Sequence, residues 1–286
     1  MPMKLEVLKD LLAVQSVSYH EQPMVNWLVK YITGNIPGAT VTVDQARNVY
    51  VHKGTAEFSP CVAAHIDTVH SPRQVTIVEN NGCLIGLDVA GEQCGIGGDD
   101  KAGVFVCLEL LHRFNHIRAI FFATEECGCV GARLVDPKFI DGLAYLMEFD
   151  CPSRGMMSYT SAGVRLFENN GAFIKAALPA LQKHGTTLWQ HHPYTDIMQI
   201  RKQFPISCLN LSSGYYNWHS RNEFVNIADV ACAIEQGAAV IGALEYTRYA
   251  CPVDMQKDKA KPLVEISGLH VPSPAACPLL PQPSCA

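Results

Sequence analysis

Runs of lysine and arginine are missing from this 286-residue chain, and its formal net charge is only −5 at neutral pH. That removes the electrostatic footprint by which a nucleic-acid or anionic-membrane surface would be recognised. No uninterrupted apolar run reaches the length of a membrane span. The opening MPMKLEVLKDLL is broken by charges and is followed by no small-residue cleavage site, so no signal peptide is read there and a cytoplasmic location is expected. No internal repeat is visible, which sets aside solenoids and propellers. What remains is ordinary for a globular protein, with 48% hydrophobic and 17% charged residues. The length suffices for one large domain or two small ones.

Cysteine, by contrast, is plentiful: the chain has 12. The cysteines are scattered, and Cys61, Cys107 and Cys232 fall inside apolar segments. Free thiols in a reducing compartment account for them better than a disulfide framework. Cys127 and Cys129 stand close together, but no second C-x-x-C pair completes a structural zinc site.

Apolar positions at helical spacing predict helices over 5–17 and 22–33, the second stopped by Gly34. TVTVD and NVYVHK alternate as strands do, and CVAAHI is a short continuous apolar run that suits a strand buried on both faces. Asn81-Gly82 between apolar runs predicts a hairpin over 75–87. A buried helix is expected over 102–111, strands over 118–123, 143–149 and 205–211, and helices over 170–183, 195–203 and 227–244. Asn226 is a candidate cap for the last helix. Strands alternating with helices predict an α/β fold, a three-layer α/β/α sandwich around a mixed, mostly parallel sheet. After about Pro262 the composition turns proline-rich and loses its periodicity. The expected organisation is one catalytic domain over 1–261 and a poorly ordered tail over 262–286.

Five patches carry the chemistry. AAHIDTVH places His65 and Asp67 at the end of an apolar strand. Two residues apart on a strand share a face, so Asp67 could orient the His65 ring. GIGGDDKAGV offers Asp99 and Asp100, one able to bridge two cations while the other caps the helix that follows. Adjacent carboxylates repel each other, and a cation relieves that cost. FFATEECG sets Glu125 and Glu126 directly after a core strand; if one binds metal, its neighbour can act as general base on a water whose pKa is lowered to roughly 7. LMEFD offers Asp150, favoured over Glu148 because it lies at the strand end. YNWHSRNEF offers His219 in an aromatic loop before the last helix. Each patch alone reads as an ordinary turn or strand end. Together, four of them follow core strands whose ends share one edge in an α/β sheet. Oxygen and imidazole donors suit zinc, with manganese or cobalt as alternatives.

On these residues the chain resembles the co-catalytic di-zinc exopeptidases, and within them the peptidase T tripeptide aminopeptidases. HIDT, GGDDKAG, ATEECG with the following VGA, and YNWHSRNEFV match that pattern in order. The resemblance implies that His65 and Asp150 hold one metal, Glu126 and His219 the other, and Asp99 bridges them. It further implies that Asp67 orients His65, that Glu125 is the acid/base, and that the Asp99–Asp100 peptide is cis. Two departures stand out. Only 68 residues separate Asp150 from His219, too few for the lid domain inserted there in that family, so a lidless, single-domain enzyme is expected. The family's glycine-threonine-aspartate substrate loop becomes PYTDIM, leaving Thr195 and Asp196 but putting Tyr194 in place of glycine. Tyr194 could stabilise an oxyanion or simply pack.

The implied reaction is hydrolysis of short peptides or related amides, with two divalent ions about 3.5–4 Å apart sharing a hydroxide and Glu125 shuttling the proton. An aminopeptidase is the leading reading. A carboxypeptidase or N-acyl amino acid deacylase would need a cation for the substrate carboxylate, for which Arg221 and Arg201 are the candidates. An inactive metal- or partner-binding module is the reading from another class, and the retained Glu125 argues against it. Without a lid to carry a dimer contact, a monomer is expected.

Overall fold

Continuous burial separates central strands from marginal ones. The computed structural model describes residues 3–252 and Leu269, so the tail expected over 262–286 lies, apart from Leu269, outside the described residues. In chain order the elements are α1 (Leu5–Ala13), α2 (Gln22–Asn35), β1 (Ala39–Val43), β2 (Val49–Lys53), β3 (Ser59–His65), β4 (Thr76–Asn80), β5 (Cys83–Leu87) and β6 (Gln93–Cys94). Then come α3 (Gly98–Arg113), β7 (Ile117–Phe122), the short α4 (Val130–Arg133) and α5 (Pro137–Asp141), β8 (Leu143–Cys151), β9 (Met156–Ser161) and β10 (Val164–Arg165). The chain continues with α6 (Ala172–Lys183), β11 (Thr187–His192), α7 (Asp196–Gln203), β12 (Cys208–Ser212), β13 (Tyr215–Tyr216), β14 (Phe224–Asn226) and α8 (Ile227–Leu244).

The main sheet runs β1-β2-β7-β3-β8-β12-β9-β10, with β11 on the other side of β9. The four strands β7, β3, β8 and β12 are mutually parallel, and antiparallel pairs flank them. Every residue of β3, β8 and β12 is buried, as strands covered on both faces must be. Helix α3 lies on β3 and β8, and α1, α6 and α8 build out the layer around it. Helix α2 covers β1 and β2, while α4 packs on α7 against β10 and β12. A second sheet, β13-β14-β5-β4 with β6 on β5, joins the Asn81-Gly82 hairpin to the stretch after His219. This is the mixed, mostly parallel α/β fold read from the sequence.

Some boundaries differ. Helix α1 stops at Ala13 rather than running to residue 17, because the Lys101 ammonium takes the carbonyls of Leu12 and Val14. Helix α2 continues past Gly34 to Asn35, whose amide donates back to the Tyr31 carbonyl. Strand β12 starts only at Cys208. Asn226 caps α8 by accepting from the Asp229 N–H at 3.1 Å. Helix α8 is long and apolar enough to cross a membrane by length and composition, but one side, including Val230, Ile234, Val240 and Ile241, is spent in the core. The ten cysteines of the described residues are all free; Cys61 and Cys107 are buried and Cys232 is partly exposed.

Between Asp150 and His219 the chain forms β9 to β13, α6 and α7. Strands β9 to β12 all pair within the main sheet.

Candidate metal and active site

The parallel strands end side by side, so the segments that follow them open on one rim. His65 is the last residue of β3. The register Ala63↔Glu148 brings Asp150, two residues further on, level with it. Asp150 lies inside β8 rather than beyond it: its N–H is taken by the Asn210 side chain at 3.0 Å, which extends the strand. Glu125 and Glu126 follow β7, Asp99 opens α3, and His219 sits between β13 and β14.

These side chains meet. His65 Nε2 is 3.1 Å from Asp99 Oδ1 and 3.7 Å from Asp150 Oδ1. His219 Nε2 is 2.9 Å from Glu126 Oε1 and 3.2 Å from Asp99 Oδ2. Two donor groups therefore overlap on Asp99, one oxygen serving each, His65–Asp99–Asp150 and Asp99–Glu126–His219, and a third, His65–Glu125–Glu126, overlaps both. Donors on a tetrahedral ion with bonds of about 2.1 Å stand about 3.4 Å apart, a spacing that the four distances bracket. The donor chemistry and its spacing fit a pair of divalent cations.

Neighbouring residues fix this arrangement. Asp67 is fully buried, and its two carboxylate oxygens accept from the N–H groups of Glu125 (2.8 Å) and Glu126 (3.2 Å) and from Ser18 Oγ (2.7 Å). The near contact of His65 Nδ1 is the Asp67 carbonyl at 3.0 Å, with the carboxylate at 3.5 Å. Asp67 thus holds the ring chiefly through its backbone and uses its charge to seat the Glu125–Glu126 turn. Thr124, just before that turn, has φ +59°, a costly value for a β-branched residue; its hydroxyl is anchored on Glu21 at 2.7 Å. Asp100 faces away from the rim and caps the Gly103 N–H, leaving Asp99 to point inward. The Asp99–Asp100 peptide is cis. Gly97 has φ +65°, and a Cβ there would strike the Thr68 side chain, so only glycine fits.

Glu223, which the sequence reading passed over, is fully buried and organises the turn before Asp99. It accepts from the N–H groups of Ile96 (2.9 Å), Gly97 (2.7 Å) and Asp99 (3.1 Å) and pairs with His70 at 2.7 Å. Tyr215 was missed as well: its hydroxyl donates to Asp150 Oδ1 at 3.2 Å. Both lie near His219 in sequence, but their neighbours carry no local pattern that signals a role.

Electrostatically the cluster is under tension. Burial lifts the Glu125 carboxyl well above its ordinary range against the opposing pull of His65, with Glu126, Asp67 and Asp99 adding to the rise. Burial raises Asp150 in the same way. For His219 burial favours the neutral ring, but the hydrogen bonds to Asp99 and Glu126 win and lift it to about 10. Asp99 is held below the carboxylate range because its bonds to His219 and His65 outweigh its burial. Without cations the site keeps its imidazoles protonated, as an excess of buried carboxylates requires.

A cavity of about 410 Å³ opens over this cluster, lined by His65, Asp99, Glu125, Glu126, Asp150 and His219 on one side. Its other walls are Pro152, Trp189, His192, Pro193, Tyr194, Tyr215 and Trp218. Tyr194 reaches the cavity and is 63% exposed. Asp196 does not reach it. As the first residue of α7 its side chain turns inward, and burial beside Glu148 raises its carboxyl well above the usual range. Glu148, the rival to Asp150, accepts from the Ile197 N–H at 3.4 Å and belongs to none of the three donor groups. Arg221 does not line the cavity either; it makes an exposed pair with Glu92 at 2.9 Å. Arg201 is buried under the carbonyls of Arg165, Phe204, Cys251 and Pro252. Cys127 is exposed, while Cys129 is buried and donates to Glu125 Oε1 at 3.3 Å.

No protein-family model and no curated protein sequence matches the chain. Solved structures do. The aminopeptidase PepT from Bacillus cereus ATCC 10987 superposes with a TM-score of 0.73 at 16% identity, over 84% of this chain and 97% of that one. A tripeptidase from Staphylococcus aureus subsp. aureus Mu50 gives 0.72 at 15% identity, over 84% and 97%. The TET1 peptidase of Pyrococcus horikoshii gives 0.61 at 14% identity, over 82% and 98%. The two overlapping donor groups thus stand at the strand-end rim of a chain that has the fold of the PepT aminopeptidase and its tripeptidase and TET1 counterparts.

Proposed function

We propose that this chain is a lidless, metal-dependent peptidase that removes residues from the free amino end of short peptides. The observation that carries the reading is the sharing of Asp99 between two donor groups at the floor of the cavity, with Glu125 beside them. When bound, two divalent ions, most simply zinc, would polarise the carbonyl and activate water. His65 and Asp150 would hold one and Glu126 and His219 the other, with Asp99 between.

The chain's own residues supply the rest. Glu125 is buried, accepts from the Cys129 thiol at 3.3 Å and lies within reach of His65 and Glu126. It is placed to take a proton from the attacking water and pass it to the leaving amine. Asp67 holds the N–H groups of both glutamates and so fixes the separation of base and ligands. A free α-amine is a cation and finds carboxylates at the cavity floor. Among the described residues no arginine or lysine lines the cavity, which disfavours carboxypeptidase and N-acyl amino acid deacylase readings that need one. The peptidase folds matched by this chain are consistent with the proposal.

Glu125→Gln is the test. With zinc, manganese or cobalt added, turnover of dipeptides and tripeptides should fall by at least about a thousandfold while two ions per chain are retained by atomic absorption. Undiminished turnover in the variant would remove Glu125 from the mechanism, and a wild-type chain that binds fewer than two ions would remove the metal pair.

A further inference from the structure

The cavity has two unlike halves. Its floor holds the ionisable groups described above. Its wall is aromatic and proline-rich: Trp189, Pro193, Tyr194, Trp218 and Pro152. The chain has only 3 tryptophans, and 2 of them, Trp189 and Trp218, stand here. Each tryptophan also touches another ring of the cavity lining. Trp189 meets His192 edge to face at 4.5 Å between ring centres, and Trp218 meets Tyr215 at 6.3 Å in the same manner. Tyr194 projects over the opening, 63% exposed. Trp189 is buried, but Trp218 and Tyr194 are only partly covered, and such rings gain by being covered; no lysine or arginine among the described lining residues would greet a carboxylate.

We propose that this site selects peptides that carry a bulky apolar or aromatic side chain flanking the cleaved bond, and that a C-terminal carboxylate is not one of its handles. The proposal rests on the peptidase reading and narrows it to a substrate class. The α-amine goes to the acidic floor and the apolar side chain to the Trp189–Trp218 wall, while the remainder of the peptide leaves past Tyr194 without a partner for its carboxylate. Covering a leucine or phenylalanine side chain corresponds to roughly tenfold to hundredfold in affinity. Replacing a C-terminal carboxylate by an amide removes no contact that the wall offers.

The experiment is a matched series of dipeptide amides and free dipeptides, with glycine, alanine, leucine, phenylalanine or aspartate at the first or the second position, and zinc or manganese present. Leucine or phenylalanine should exceed alanine by about tenfold or more in kcat/KM at one of the two positions. Amidation should change kcat/KM by less than about threefold. Trp218→Ala should erase the apolar preference, the loss on the leucine and phenylalanine peptides falling chiefly on KM. Equal rates for aspartate and leucine, or a loss beyond about tenfold on amidation, overturn the proposal. Binding is read separately in a Trp27→Phe background. Trp27 stacks on Tyr31 in α2 and does not line the cavity, so the remaining fluorescence belongs to the wall. Phenylalaninamide should change that emission and glycinamide should not. An emission change without any hydrolysis would keep the binding class and sink the peptidase reading. No emission change sinks the inference, whether or not peptides are cleaved.

Discussion

At His219 two carboxylates converge on a single ring nitrogen, 2.9 Å from Glu126 and 3.2 Å from Asp99. In the metal-free protein that nitrogen keeps its proton up to about pH 10, against an ordinary 6.5. A raised value in the folded state means that the bound proton stabilises the fold. That contribution is complete below about pH 6.5 and disappears as pH climbs through about 10. A cation needs the same nitrogen bare, so loading must expel the proton. Zinc titrations in buffers of different ionisation enthalpy should therefore show at least one proton released per chain at pH 7.5, and apparent affinity should strengthen with pH toward 10. His219→Ala should release about one proton fewer. Heats that do not depend on the buffer would dismiss this account of the cluster. Of the candidate ligands, His65, Glu126 and Asp150 stand out in the sequence because they lie at or just beyond the ends of apolar runs, whereas Asp99 and His219 gain weight only from the company of the others. Glu223 and Tyr215 were not, because their importance lies in partners remote in sequence, Gly97 and Asp150. Arg221 misled for the converse reason: its closeness to His219 in sequence says nothing of direction, and it turns out to Glu92.

Helix α8 shows how one substitution reverses sign along one element. At Gly237 a Cβ would come within 2.8 Å of the Phe149 ring and 3.0 Å of Leu110 Cδ1. At Gly242 a Cβ would meet nothing within 4 Å. Alanine improves helix propensity by about 1 kcal/mol over glycine, while overpacking a core costs about 1–3 kcal/mol. Gly242→Ala should raise stability by roughly 0.5–1 kcal/mol, and Gly237→Ala should lower it by about 1–2 kcal/mol, as read from urea midpoints. The second change should also disturb the site, since Phe149 adjoins Asp150 on β8. If Gly237→Ala is as stabilising as its neighbour, the contact between α8 and β8 is looser than described. At this scale the sequence was informative where burial is simple. The apolar runs of β3, β7 and β8 and the Asn81-Gly82 hairpin were all foreseen. Strands β9 and β11, MMSYTS and TLWQHH, were not. Their serines, threonines and histidines disguise strands whose burial comes from the sheet around them rather than from an apolar pattern of their own.

For the molecule as a whole, the rim gathers four carboxylates and two imidazoles from segments spread between His65 and His219. A ligand that binds only the folded chain stabilises it by about 2.7 kcal/mol at a hundredfold excess over its Kd. Chelation with EDTA should therefore lower the midpoint of thermal unfolding by several degrees, and zinc or manganese should restore it in a concentration-dependent way. A midpoint indifferent to both would mean that the rim does not hold cations. The mostly parallel centre of the sheet and the convergence at one rim could be argued from the alternation of strands and helices. The second sheet could not, because β13 and β14 are too short to leave a period, and they are defined by pairing with a hairpin far earlier in the chain.

Asp67 draws three stretches of the chain onto one carboxylate: Ser18 between the first two helices, its own strand end, and the Glu125–Glu126 turn. Each of the three is tied to the other two through that one side chain. Chemistry at the rim and integrity of the amino-terminal helices are thereby a single cooperative property. Fraying around Ser18, however distant it looks along the chain, would be felt first in the placement of Glu125 and Glu126.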